Sequence, residues 1–125
     1  MESSVADTLT ALRPDSEPAT RLLVRRGRRM MFIATKDVDW LDAQGNYVRL
    51  HIAGQSHLLR GTMTSLESRL DPATFVRIHR SAIVNVDRIA HIEPYLHGEF
   101  TITMRDGNRL TTSAGHSHRL REMLR

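Results

Sequence analysis

Between residues 75 and 86 the chain reads Phe75-Val76-Arg77-Ile78-His79-Arg80-Ser81-Ala82-Ile83-Val84-Asn85-Val86, a polar cluster set between two β-forming stretches. Val76 and Ile78 alternate with Arg77 and His79, the period of a half-buried strand, so the cluster stands at an exposed strand end. Arg77, His79, Arg80 and Ser81 supply donors and positive or neutral heads with no carboxylate among them. That chemistry suits an anion such as a phosphodiester backbone, whereas a catalytic pocket would want opposed charges.

Other constellations point away from catalysis. His79 and Ser81 would share a strand face, but the nearest acid in sequence is Asp87. No nucleophile elbow, phosphate-loop glycine run or GxGxxG occurs, so the chain is expected not to be an enzyme. His116 and His118 form an H-x-H pair without HExxH or cysteine, and on a helix i and i+2 face apart. They read as surface histidines that could donate to phosphate; neither a metal site nor a cofactor is implied. Trp40, Tyr47, Phe32, Phe75 and Phe100 lie in strand-like stretches and are expected in the core rather than on a base-stacking platform. Arg25, Arg26, Arg28 and Arg29 read as a solvated hairpin tip. Asn46 sits in favoured turn chemistry after Gly45, and its amide could equally read adenine or share phosphate oxygens. Asn85, between Val84 and Val86, is expected to bond backbone and hold its loop in shape.

One domain of ordinary size must position these groups, since 125 residues leave no room for a second. There is no cysteine, so disulfide and thiolate chemistry are excluded. No apolar run approaches a membrane span and the N-terminus lacks a signal-peptide pattern, so a cytoplasmic chain without membrane insertion is expected. Residues 1–20 carry Glu2, Asp7, Asp15 and Glu17 against Arg13, while residues 21–125 carry seventeen Lys and Arg, sixteen of them Arg, against ten Asp and Glu. The first segment, with Pro14 and Pro18, reads as a flexible acidic tail or linker; the basic remainder is the domain.

From Arg21 the pattern is one of short strands. Leu22–Arg25 and Met30–Ala34 flank a turn at Gly27; Val38–Asp42 and Tyr47–Ile52 flank Gln44-Gly45-Asn46; Leu58–Arg60 follows. Thr64-Ser65-Leu66-Glu67 has the form of a capping box for a helix that Asp71-Pro72 ends. Asp87–Pro94 continues as strand, Phe100–Met104 pairs with Arg109–Thr112 across a two-residue Asp106-Gly107 turn, and Ser113 caps a closing helix. The sum is mainly β, about ten short strands with two small helices.

These same residues resemble the LytTR-type DNA-binding domain of bacterial transcription regulators. The likeness rests on the Phe75 to Val86 run followed by Ile89, on Ala43-x-Gly45-Asn46-Tyr47-Val48 with the Leu66 to Leu70 helix, and on Gly107-x-x-Leu110-x-x-Ser113. It covers residues 21–125. It implies elongated antiparallel β-sheets that read duplex DNA through loops entering successive major grooves rather than through a recognition helix. It implies base contacts from Asn46, Arg80 and the segment after Ser113, with Arg77, His79 and Ser81 near the DNA backbone. The family often has Arg or Lys after the Ser113 position, where this chain has Ala114-Gly115-His116. His116 is therefore expected as the third base contact, with Ser113 and Arg119 towards the backbone and Arg119 as its possible substitute.

Relatives bind paired half-sites, so a homodimer on DNA is a candidate assembly. A receiver domain often precedes this one, and twenty residues cannot hold it; a stand-alone regulator and a piece of a longer protein both remain open, as does a regulatory protein outside the chain. Two rivals stand beside the duplex-DNA reading: an interaction module for an acidic protein or membrane-bound partner, and an RNA or single-strand binder.

Overall fold

The computed structural model describes residues 17–124, so most of the expected acidic tail lies outside it. The described chain forms β1 (Arg21–Arg26), β2 (Arg29–Ala34), β3 (Trp40–Gln44), β4 (Tyr47–Ile52), β5 (Gln55–Arg60), α1 (Met63–Glu67), β6 (Phe75–His79), β7 (Ala82–Asn85), β8 (Ile89–Pro94), β9 (Phe100–Met104), β10 (Arg109–Thr111) and α2 (His118–Met123), with single 3₁₀ turns between some of them. All strand pairs are antiparallel: a β1-β2 hairpin, a central sheet in the order β5-β4-β3-β7-β6, and a smaller sheet in the order β10-β9-β8.

The central sheet is covered on both faces. Because successive side chains of a strand point to opposite faces, Leu41, Val48, Leu50, Leu59 and Ile83 enter one core with Leu22 and Val24 of the hairpin and Leu66 of α1. Trp40, Val76, Ile78 and Val84 enter the other with Ile102 and Met104 of β9 and Leu120 of α2. All four residues of β7 are therefore buried, which accounts for its continuous Ala-Ile-Val-Asn run. Asn85 is accommodated there because its Nδ2 donates to Val38 O at 2.9 Å and its Oδ1 accepts from Asp87 N at 2.9 Å, the loop-holding role expected of it.

Several local expectations are corrected. The cap of α1 is Thr62, whose hydroxyl accepts from Ser65 N at 3.1 Å; Thr64, read as the cap, lies inside the helix. The β9–β10 loop has three residues rather than two, since Arg109 pairs with Thr103 and Met104 N donates to Asn108 O at 2.8 Å, leaving Arg105, Asp106 and Gly107. Gly107 takes the positive φ (95°) that such a loop asks of its glycine. Ser113 precedes a 3₁₀ turn (Ala114–His116) and does not cap α2, which starts after Ser117. Phe75 and Trp40 are buried as expected, but Phe32 is 62% and Tyr47 40% exposed. Phe32 instead lies under the Arg21 guanidinium, 5.4 Å from ring centre to carbon. The folded region also takes up the chain slightly before Arg21: Ala19 N donates to Arg69 O and Thr35 N to Thr20 O. Among the described residues no helix is long and apolar enough to cross a membrane.

Candidate nucleic-acid interface

Strand pairing gathers three loops at one end of the central sheet. The β3–β4 tip carries Gly45-Asn46, and next to it the β6–β7 turn carries Arg80-Ser81, because Ala43 N donates to Ser81 O at 3.0 Å. Beyond β6, Ser113 N donates to Ile78 O at 2.9 Å and brings the segment ending at His116 to the same end. At a strand spacing near 4.8 Å, the front from Asn46 to His116 is roughly 15–20 Å wide.

Each loop is built differently. Gly45 has φ 59° as the first residue of a two-residue loop between Gln44 and Tyr47, a glycine-first geometry that matches strand twist. Asn46 is exposed, its backbone oxygen accepts from Gly61 N at 3.0 Å, and its amide finds no partner among the described residues. Below this tip, Asp42 accepts two bonds from Arg49 (3.1 and 2.9 Å) and one contact from His51 Nε2 (2.7 Å), while the His51 ring stacks on Trp40 with centres 3.8 Å apart. Burial acts to raise the Asp42 pKa, but hydrogen bonds from Arg49 and His51 outweigh it and hold the carboxyl below its ordinary range. Asp106, which accepts from Trp40 Nε1 at 3.3 Å, is likewise lowered: burial opposes, and bonds from Asn108 and Trp40 prevail.

In the second loop Arg77 turns inward. Its guanidinium donates to His79 O and Arg80 O, and to Thr64 Oγ1 and Glu67 Oε1 at 3.2 and 3.1 Å on α1. Arg77, expected near a DNA backbone, thereby clamps the turn. Arg80 is exposed, and its side chain has no partner among the described residues. His79 Nδ1 accepts from Ser81 N at 3.2 Å and meets Ser81 Oγ at 2.9 Å, so in the neutral ring the proton sits on Nε2, a donor left for a partner.

The third loop hangs on a hydroxyl chain. Buried Thr112 Oγ1 accepts from Phe100 N at 3.0 Å and meets Ser117 Oγ at 2.7 Å, and Ser117 Oγ donates to Ser113 O at 2.8 Å. Ser113 Oγ contacts His116 Nδ1 at 2.9 Å, which leaves His116 Nε2 without a hydrogen-bond partner among the described residues. Arg119 is not at this end: its guanidinium donates to Pro72 O, beyond the start of β6 and opposite the Arg80 turn. The four hairpin arginines are exposed, as expected of a tip, and His118 pairs with Glu122 at 3.3 Å.

Sequence reasoning missed Thr112, Ser117 and the Asp42–Arg49–His51 group. The last was legible: a two-residue loop at Gly45-Asn46 sets Asp42 opposite Arg49, an opposite-charge cross-strand pair. Thr112 and Ser117 left no such signal, since Thr112 is joined to Phe100 N of β9 and the two hydroxyls meet each other across the 3₁₀ turn.

Residues 28–125 match the LytTr DNA-binding domain family. The sensory transduction protein LytT of Bacillus subtilis is 25% identical over 104 residues, covering 83% of this chain and 43% of that protein. The CO-responsive transcriptional regulator RcoM of Rhodospirillum rubrum is 34% identical over 87 residues, 66% of this chain and 36% of its own length. The chain thus spans less than half the length of these relatives. The solved LytTr DNA-binding domain of a response regulator from Bacillus cereus superposes with a TM-score of 0.77 at 24% identity, over 85% of this chain and 97% of that one. The ten-stranded antiparallel architecture and the family match agree, and the chain belongs to the LytTr DNA-binding domain family.

Proposed function

We propose that this chain is the DNA-binding part of a cytoplasmic transcription regulator that recognises duplex DNA sequence-specifically through its three clustered loops. The observation that carries the reading is the unengaged chemistry at one sheet end: the Asn46 amide, the Arg80 guanidinium and His116 Nε2. Asparagine pairs with adenine edges and arginine with guanine edges, so Asn46 and Arg80 read bases and His116 supplies the third contact. His79 Nε2, Ser81 and Ser113 border these groups and donate to phosphates. Arg77 and Arg119 act through the fold, Arg77 by holding the Arg80 turn. A minor groove is about 6 Å wide, so with its two phosphate ridges it fits beneath a front of roughly 15–20 Å. The outer loops then enter successive major grooves.

A homodimer on DNA would present one such front to each of two paired half-sites, and a receiver domain or regulatory protein outside this chain would supply the signal. Selection of duplex DNA at stated, near-physiological salt tests the reading, with affinity ratios of selected to scrambled sites as the readout. An enriched paired motif supports it; a folded chain that enriches nothing over random duplex refutes sequence-specific recognition by this chain. Exposed Tyr47 beside Asn46 favours one second reading, single-strand binding by base stacking. In competition, single strands that displace duplex would favour that alternative.

A further inference from the structure

The end of the central sheet that carries Asn46 and Arg80 extends by one more strand, because β5 pairs with β4 outside β3 and its last residue, Arg60, meets Tyr47. Gly61 N, the next residue, donates to Asn46 O at 3.0 Å and fixes Arg60 beside the Asn46 tip. Side chains alternate along a strand, and Val48 and Leu59 enter the core, so Tyr47 and Arg60 stand together on the opposite face. Both are exposed, and the Arg60 side chain has no partner among the described residues. Its neighbours on that face of the ladder are Leu58, Tyr47 and Arg49, none of them an acid, and one strand further Asp42 is engaged by Arg49 and His51.

We propose that Arg60 and the Tyr47 hydroxyl form a phosphate clamp at the outer end of the front, holding the DNA strand beside the base that Asn46 contacts. The clamp rests on the duplex-DNA reading above and adds to it a contact on the side of Asn46 away from Arg80. Strand order puts Arg60, Asn46, Arg80 and His116 in that sequence across one sheet end. Neighbouring strands stand roughly 4.8 Å apart and successive phosphates of one DNA strand rise roughly 3.4 Å. A group one strand outside Asn46 therefore falls about one or two phosphates from the base that Asn46 contacts. The guanidinium offers two parallel N–H donors to phosphate oxygens, and the phenol hydroxyl adds another. Contacts of this kind fix register and act on all sequences alike.

The test measures binding of the full chain to selected and scrambled duplex over a series of salt concentrations. Arg60→Gln should weaken both duplexes several-fold by the same factor and lower the slope of log affinity against log salt by about 0.9, the mark of one lost phosphate contact. Arg60→Lys should keep the parental slope, because the charge makes the contact, a rescue that a merely structural role would not give. Arg105→Gln makes an equal charge change on the exposed β9–β10 loop, which Asp106 ties to Trp40 at the far end of β3, and should leave the slope parental. Tyr47→Phe keeps a ring able to stack on a base and should weaken both duplexes several-fold for want of the hydroxyl. Circular dichroism checks that each variant is folded. A parental slope in Arg60→Gln, the same slope loss in Arg105→Gln, or a loss confined to the selected duplex would overturn the phosphate contact. Parental affinity in Tyr47→Phe would remove the hydroxyl from the clamp. A parent chain that binds no duplex at any salt would instead refute the DNA reading, and the clamp with it.

Discussion

The guanidinium of Arg77 donates to the carbonyl oxygen of Arg80, three residues ahead, while its other nitrogens hold His79 O and the α1 residues Thr64 and Glu67. One arginine thus shapes the turn from which the other projects, and ties that turn to a helix. The two cations of the R-I-H-R motif therefore differ in their surroundings, Arg77 bonded into the turn and Arg80 without a side-chain partner among the described residues. Arg80→Ala should cost about 1–3 kcal/mol on a selected duplex and relax preference at one base. Equal losses on selected and scrambled duplex, by fluorescence anisotropy, would remove its reading role.

Arg77 separates clamping from phosphate contact through a conservative change. Lysine binds phosphate as a point charge but cannot fork across two carbonyls and a carboxylate. Arg77→Lys should therefore lose about tenfold in affinity for the selected duplex and resemble Arg77→Ala. A Lys variant that keeps parental affinity where Ala loses it would instead make Arg77 a phosphate contact.

The Asp42 carboxylate is held by Arg49 and His51 beneath the Asn46 tip, and Asp42→Asn should destabilise the fold by about 1–3 kcal/mol at neutral pH. Its folded pKa is depressed below the ordinary 3.8, so the stabilisation is complete above that value and is lost as pH falls through the folded value. Urea unfolding at a series of acid pH values should show parent and variant converging below 3.8 and separated above it. A gap that does not change with pH would mean that the charge of Asp42 is not what stabilises.

Thr112→Val keeps shape but removes the hydroxyl that serves Phe100 N and Ser117 Oγ, both left with a lost partner in a buried setting. The expected cost is about 1–3 kcal/mol, read as a lower Tm, together with weaker DNA binding because Ser113 and His116 lose their support. Loss of stability with unchanged affinity for the selected duplex would detach the third loop from recognition.

Two glycines beside Asn46 and His116 should respond differently. Gly45 has φ 59° with open space where a Cβ would go, so Gly45→Ala costs backbone strain alone, about 1 kcal/mol. Gly115 has equal room and no positive φ, so Gly115→Ala should be near neutral in thermal unfolding. Similar Tm changes for the two would show that the Gly45 conformation is not limiting.

The strands, most of their turns and the identity of the groups that stand out at their tips are legible in the residues alone. Alternation around Arg77 and His79, glycine at Gly45 and Gly107, and a polar Asn85 within an apolar run are local signals, and local sterics and burial decide them. Helix edges were less legible, because Thr62 and Thr64 are both competent caps and only the packing of Met63 and Leu66 into the core chooses between them. Which cations are available depends on contacts between distant parts of the chain. Arg77, Arg80 and Arg119 look alike in sequence, but carbonyl oxygens of a turn and of Pro72 take up two of them and leave Arg80 outward. Tyr47 and Phe32 were likewise decided by coverage, since a two-sided sheet buries its centre and leaves its hairpin margins open. Hydrogen-bond partners distant in the chain fix side-chain direction, and no spacing rule along one strand contains them.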